Sequence, residues 1–69
     1  MNLLQVVALT DDIPEKGLKR GQVGTIVEQL AADVFEIEFA DLDGKPYAFA
    51  AVSKEKLLAL RHERLDAAA

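Results

Sequence analysis

The groups most able to do acid–base or ionic chemistry crowd into the stretch from Glu28 to Asp43. It carries Glu28, Asp33, Glu36, Glu38, Asp41 and Asp43, and neither lysine nor arginine. Two carboxylates held in a cleft can divide the roles of acid and base between them. Glu36 and Glu38 are spaced to share one face of an extended strand, and Glu28 is a candidate to stand beside them. No cleft is signalled around them. They read first as a solvated face, and next as a patch for a basic partner.

Other candidates carry less. Ser53-Lys54-Glu55-Lys56 fits the Ser-x-x-Lys spacing of penicillin-binding enzymes, but the companion motifs are missing and the chain is too short for that pocket. A helical turn capped by Ser53 is expected instead. Asp41-Leu42-Asp43-Gly44 has the opening of a calcium loop. Its third ligand is absent, and Val52 stands where the closing glutamate belongs, so a hairpin turn is expected. Lys16, Lys19 and Arg20 could meet phosphates, yet Asp11, Asp12 and Glu15 are interleaved with them. The nearby aromatics belong to core strands and offer no stacking platform. His62, between Arg61 and Glu63, has no second histidine or cysteine to share a metal. Tyr47 is expected in the barrel with its hydroxyl at the rim. Nucleophile, base and pocket are all missing. No catalytic residue, metal site or cofactor is expected, and the chain reads as a non-enzyme.

With 69 residues, the chain is one domain. At this size folding hides only roughly 60% of the unfolded surface, so stability is thin. Disulfides and metals often supplement such domains, but there is no cysteine and one histidine. A closed barrel or self-association could supply what the core lacks, and the leucine-rich end from Leu57 to Leu65 adds to the expectation of a homo-oligomer. The lack of cysteine fits a reducing cytoplasm. Met1 to Val6 has neither the charged start nor the apolar run of a signal peptide. No segment approaches the ~20 apolar residues needed to span a bilayer. The net charge is -4 and the pI about 4.7. An acidic centre opposes phosphate binding, so nucleic acid is not the expected partner.

The elements that would position these groups are short strands. Gln5 to Leu9 is a first strand, ended by Thr10-Asp11-Asp12. Thr10 to Arg20 is a long loop, broken by Pro14 and Gly17, with Ile13 and Leu18 tucked beneath it. Gly21-Gln22-Val23-Gly24 then leads into a β-branched strand from Val23 to Leu30. Gly24 inside that pattern predicts a bulge or a close backbone approach. The order of Val23, Thr25, Ile26 and Val27 leaves its faces unassigned. After Ala31-Ala32-Asp33, Val34 to Phe39 alternates cleanly, placing Phe35, Ile37 and Phe39 inward and Glu36 and Glu38 outward. A slip of one residue would bury both glutamates, so the register is well specified. Asp41 to Lys45 is a turn that uses Gly44, and Pro46 opens a fourth strand from an edge position. That strand is read with Phe49 inward. Lys54 to Asp66 has the composition of a helix. A fifth strand is needed to complete a barrel, however, so Leu57 to Leu60 is read as strand. Residues 1–61 form the barrel domain and 62–69 a C-terminal tail.

Strand, long loop, glycine-led strand, two hairpins, one helical turn and a last strand is the layout of SH3-like barrels. Lys19 to Glu28 resembles the glycine-centred motif of KOW-type barrels and is similar to the barrel domain of the nitrile hydratase β-subunit. Leu4 to Leu9, Asp12-Ile13-Pro14, Leu18 to Glu28, Phe35 to Phe39 and Asp43-Gly44 together resemble a family of bacterial stand-alone domains of unknown function. The resemblance implies an all-β, five-stranded SH3-like barrel with one short helical turn before the last strand. It brings no catalytic residues. Such domains sit beside toxin-like genes in some genomes, which implies an antitoxin- or immunity-type role. The functional expectation is a non-catalytic protein-binding module for a partner with a basic surface, with Glu28, Glu36 and Glu38 as its face and Gly21, Gly24 and Gly44 as its turn and bulge residues. The alternative is a KOW-like module associated with nucleic acid or the ribosome.

Overall fold

The computed structural model describes residues 1–61. The fold is all-β. Its strands are β1 (Val6–Leu9), β2 (Val23–Ala31), β3 (Val34–Ala40), β4 (Pro46–Ser53) and β5 (Leu57–Ala59), with 3-10 turns at Pro14–Lys16 and Lys54–Lys56. Among the described residues no helix is long and apolar enough to cross a membrane. Residues 62–69, read as a tail and including His62 and Leu65, lie outside the described residues.

All five strands form one antiparallel sheet in the order β4-β3-β2-β1-β5. The segment after Lys56 is strand, as the topology required: Leu57 pairs with Leu9, Leu58 with Ala8 and Ala59 with Val7. The ladder does not close on itself, because β4 and β5 are the two ends of the strand order. The cylinder expected from the sequence is therefore an open sheet. It curls enough for residues from every strand to share one core: Val7 and Leu9, Ile26, Phe35, Ile37 and Phe39, Ala50 and Val52, and Leu57.

β3 sets the register. Phe35, Ile37 and Phe39 are buried, while Glu36 and Glu38 are half-buried on the opposite face. Burying such apolar side chains is worth about 1.5–3 kcal/mol each, so a one-residue slip would forfeit several times that. Ile13 and Leu18 join the core from beneath the long loop. They exchange main-chain hydrogen bonds in both directions, at 2.8 and 3.1 Å. The loop is thus pinned by two side chains and their own backbone.

Two expectations are corrected. Phe49 does not face inward: it is 48% exposed, and Ala50 and Val52 take the core side of β4. The pairing explains why. Phe39 lies opposite Ala48, Ile37 opposite Ala50 and Phe35 opposite Val52. The bulk on β3 leaves room only for small residues across from it, and Phe49 is turned out beside Glu38. Ser53 gives no side-chain cap to the turn at Lys54–Lys56. It is the last residue of β4, where the ladder pairs it with Val34.

Candidate binding face

The outer face of the sheet carries the candidate residues in rows that cross the strands. One row runs Val6, Thr25, Glu38, Phe49, from β1 to β4. The next runs Glu28, Glu36, Ala51, from β2 to β4. A third, at the other end, is Leu58, Ala8, Val23. Rows on one face are about 7 Å apart, two residues along a strand. Directly opposed residues approach more closely, with Cβ atoms about 4.5–5.5 Å apart.

Glu28 and Glu36 are therefore near neighbours, and Glu38 lies one row beyond. The register of β2 against β3 shifts between Ile26 and Glu28, so Val27 is the extra residue of a bulge. That bulge brings Glu28 level with Glu36. Glu28 is exposed; Glu36 and Glu38 are half-buried, their stems lying on the sheet. Phe49 faces the same side, level with Glu38. The face thus joins three carboxylates to one half-exposed aromatic ring. Thr25 and Phe49 were not named for this face from the sequence. The small-against-large match between β4 and β3 was the signal that could have placed Phe49 there.

Gly24 lies on the inner side of β2, opposite Val7. A Cβ there would stand 2.6 Å from Cγ2 of Ile37, 2.9 Å from the Glu38 carbonyl oxygen and 3.0 Å from Cδ1 of Phe39. The register shifts fall elsewhere, so Gly24 serves a close approach of β3 over β2 and no bulge. Gly21 (φ 92°) and Gly44 (φ 80°) occupy turns with open space around them.

The Asp41 carboxylate serves its own loop. Oδ1 accepts from the N–H groups of Asp43 and Lys45, both at 2.9 Å, and Gly44 N–H donates to the Asp41 carbonyl at 2.9 Å. Among the described residues, no group of three or more histidines, cysteines and carboxylates is placed to hold a metal. In the long loop, Asp12 Oδ1 accepts from Arg20 N–H at 2.8 Å. Lys16, Lys19 and Arg20 are exposed there among Asp11, Asp12 and Glu15. Tyr47 is 51% exposed. Its Oη accepts from Gln22 Nε2 at 3.1 Å, and its ring lies 6.4 Å from that of Phe39, tilted by 43°.

An open cleft of about 630 Å³ lies at the opposite end of β3, beside Met1, Asp33, Ser53, Lys54, Glu55 and Leu57. Of the candidates, the outer face of β2, β3 and β4 is the one where several side chains converge.

Residues 3–59 match one family model across all five strands. The chain belongs to the family described as Domain of unknown function (DUF4926). No curated protein and no solved structure matches the chain. The DUF4926 match takes in Glu28, Glu36, Glu38 and Phe49, so the whole candidate face lies within the family's span. The small all-β sheet is consistent with a stand-alone DUF4926 domain.

Proposed function

We propose that this DUF4926 domain is a non-catalytic cytoplasmic module that binds a protein with a basic surface through the outer face of β2, β3 and β4. The observation that carries this reading is the direct opposition of Glu28 and Glu36, with Glu38 and Phe49 in the adjacent row. Like charges placed opposite each other across a ladder destabilise a sheet, against a usual range of 0.2–1 kcal/mol for paired side chains, here of unfavourable sign. A bound arginine or lysine reverses that sign. Arginine suits the face best. Its planar fork matches a carboxylate, and its stem and guanidinium can lie on the Phe49 ring, an interaction worth about 0.5–1 kcal/mol at an exposed site.

An antitoxin or immunity protein holding a basic toxin-like partner is the specific form this reading takes. Untagged protein purified from its own host is expected to bring down a basic protein. The Glu36→Lys and Glu38→Lys double variant is expected to lose it while keeping the wild-type circular dichroism spectrum. Association should slow as ionic strength rises, since charge complementarity acts mainly on the on-rate. Recovery of nucleic acid alone, retained by the double variant, would overturn the proposal in favour of a KOW-like role.

A further inference from the structure

We propose that the open edge of β4 pairs antiparallel with β4 of a second copy of this chain. The inference does not rest on the acidic face; it comes from the two edges of the sheet that the described residues form. β5 is three residues long, whereas β4 runs for eight. From Pro46 to Ser53, β4 carries no charged residue. Long, uncharged edges are templates for further strand pairing, and edges that stay single are shortened, charged or covered. Pro46 blunts only the first position.

The direction of the main-chain groups along β4 follows from observed bonds. Lys54 N–H donates to the Asp33 carbonyl at 2.7 Å, toward β3. Main-chain groups of successive residues point to alternate sides of a strand. Val52 and Ala50 therefore turn theirs to β3, and Phe49, Ala51 and Ser53 turn theirs to the open edge. The same parity comes from β2. Ile26 bonds the N-terminal arm, donating to the Gln5 carbonyl at 3.0 Å and accepting from Leu4 N–H at 2.6 Å. Ile37 opposite it thus faces Ala50 with its own N–H and C=O.

A second copy, in place of an arbitrary peptide, is favoured by the fit of β4 to itself. With the two-fold axis beside Ala50, Phe49 of each copy lies opposite Ala51 of the other, within the stretch of β4 that follows the bulge at Tyr47. Each exposed ring then meets a small residue, and the free N–H and C=O groups of Phe49 and Ala51 complete each other's bonds. The turn before β4, with Asp41, Asp43 and Lys45, then lies at the same end as Lys54, Glu55 and Lys56 of the other copy, so the segments that flank β4 carry opposite net charge. Shifting the axis to lie between Phe49 and Ala50 would flip one face and set the edge-directed groups of Phe49 against Ala50, whose groups turn to β3.

Sedimentation equilibrium and amide exchange over a range of protein concentrations test this. The mass is expected to rise toward twice 7.5 kDa, and the Phe49 and Ala51 amides to exchange more slowly as it does. Ala51→Pro removes an edge N–H without touching the β3 ladder, and Ala51→Lys places a charge on the edge; both are expected to remain monomeric. Glu36→Lys, which disrupts the acidic face, is expected to dimerise as the wild type does. A wild type that stays monomeric would overturn the proposal. So would a dimer whose Phe49 and Ala51 amides exchange at a rate independent of concentration, which would place the interface elsewhere. Should Ala51→Pro fail to fold, Ala51→Lys and the wild-type exchange rates still decide.

Discussion

Replacing Gly24 with alanine tests whether β3 truly rides on bare backbone. The added methyl would meet Ile37 Cγ2 at 2.6 Å, the Glu38 carbonyl oxygen at 2.9 Å and Phe39 Cδ1 at 3.0 Å. Ile37 and Phe39 are both fully buried, and the Glu38 contact is main chain. Neither the side chains nor the strand has slack, so β3 must lift from β2. Overpacking of this kind costs about 1–3 kcal/mol. Alanine returns about 0.4–1 kcal/mol by restricting the unfolded chain. The net loss is about 1–2 kcal/mol, taken from a total of roughly 3–10 kcal/mol for a domain of this size. In a small domain each 1 kcal/mol shifts Tm by about 4–8 °C, so a fall of about 5–15 °C is expected. Thermal unfolding followed by circular dichroism or calorimetry reads it directly. A control separates crowding from backbone strain. Gly44 has open space and a φ of 80°, so Gly44→Asn should be tolerated better than Gly44→Ala, because asparagine accepts left-handed backbone. At Gly24 the order should reverse, the larger side chain doing more harm. An unchanged Tm for Gly24→Ala would refute the steric account.

Three further outcomes follow from the packing. Phe39→Ala should cost about 3–5 kcal/mol, a large share of the domain's stability, whereas Phe49→Ala should cost under about 1 kcal/mol by urea titration, because half of that ring is already in water. If the two are equally damaging, the assignment of inner and outer faces on β4 is wrong. Asp41→Ala should lower stability by about 1–2 kcal/mol through loss of two bonds to the turn backbone, with Asp41→Asn retaining most of it; equal loss in both would point to charge as the cause. Glu36→Lys should stabilise the fold by up to about 1 kcal/mol by ending the opposition with Glu28. The same change should abolish capture of a basic partner, and a variant that loses stability and keeps its partner would contradict the reading of this face.

Much of the architecture could be read from the residues, and the failures have local causes. Phe35, Ile37 and Phe39 alternate with glutamates, so polarity itself marked the two faces of β3. In β4 both alternating sets are apolar, and nothing polar distinguished Phe49 from Ala50. Only the volumes facing them across the ladder decide the matter. β2 resisted assignment because Val27 is bulged and everything from Val23 to Val27 is compatible with either side. Period-two spacing placed Glu36 and Glu38 together, but it could not align Glu28 with them, since that depends on one extra residue in the neighbouring strand. Ser53 has the chemistry of a cap, yet pairing with Val34 holds it as the last residue of a strand. Leu57 to Ala59 would suit a helix by composition. Pairing with β1 overrode that preference, as tertiary contacts commonly override weak local propensity.

The pairing of Val7 with Ala59 joins two points of the polypeptide separated by most of its length. On the ribosome, the meander β2-β3-β4 can assemble from local contacts as soon as it emerges. β1, although made first, must wait for β5 before its own outer edge is covered. Non-local closure of this kind is the slow part of folding small β proteins. The nascent domain therefore spends its growth with β1 unguarded, and a stall before Leu57 leaves four of the five strands without the one that seals them.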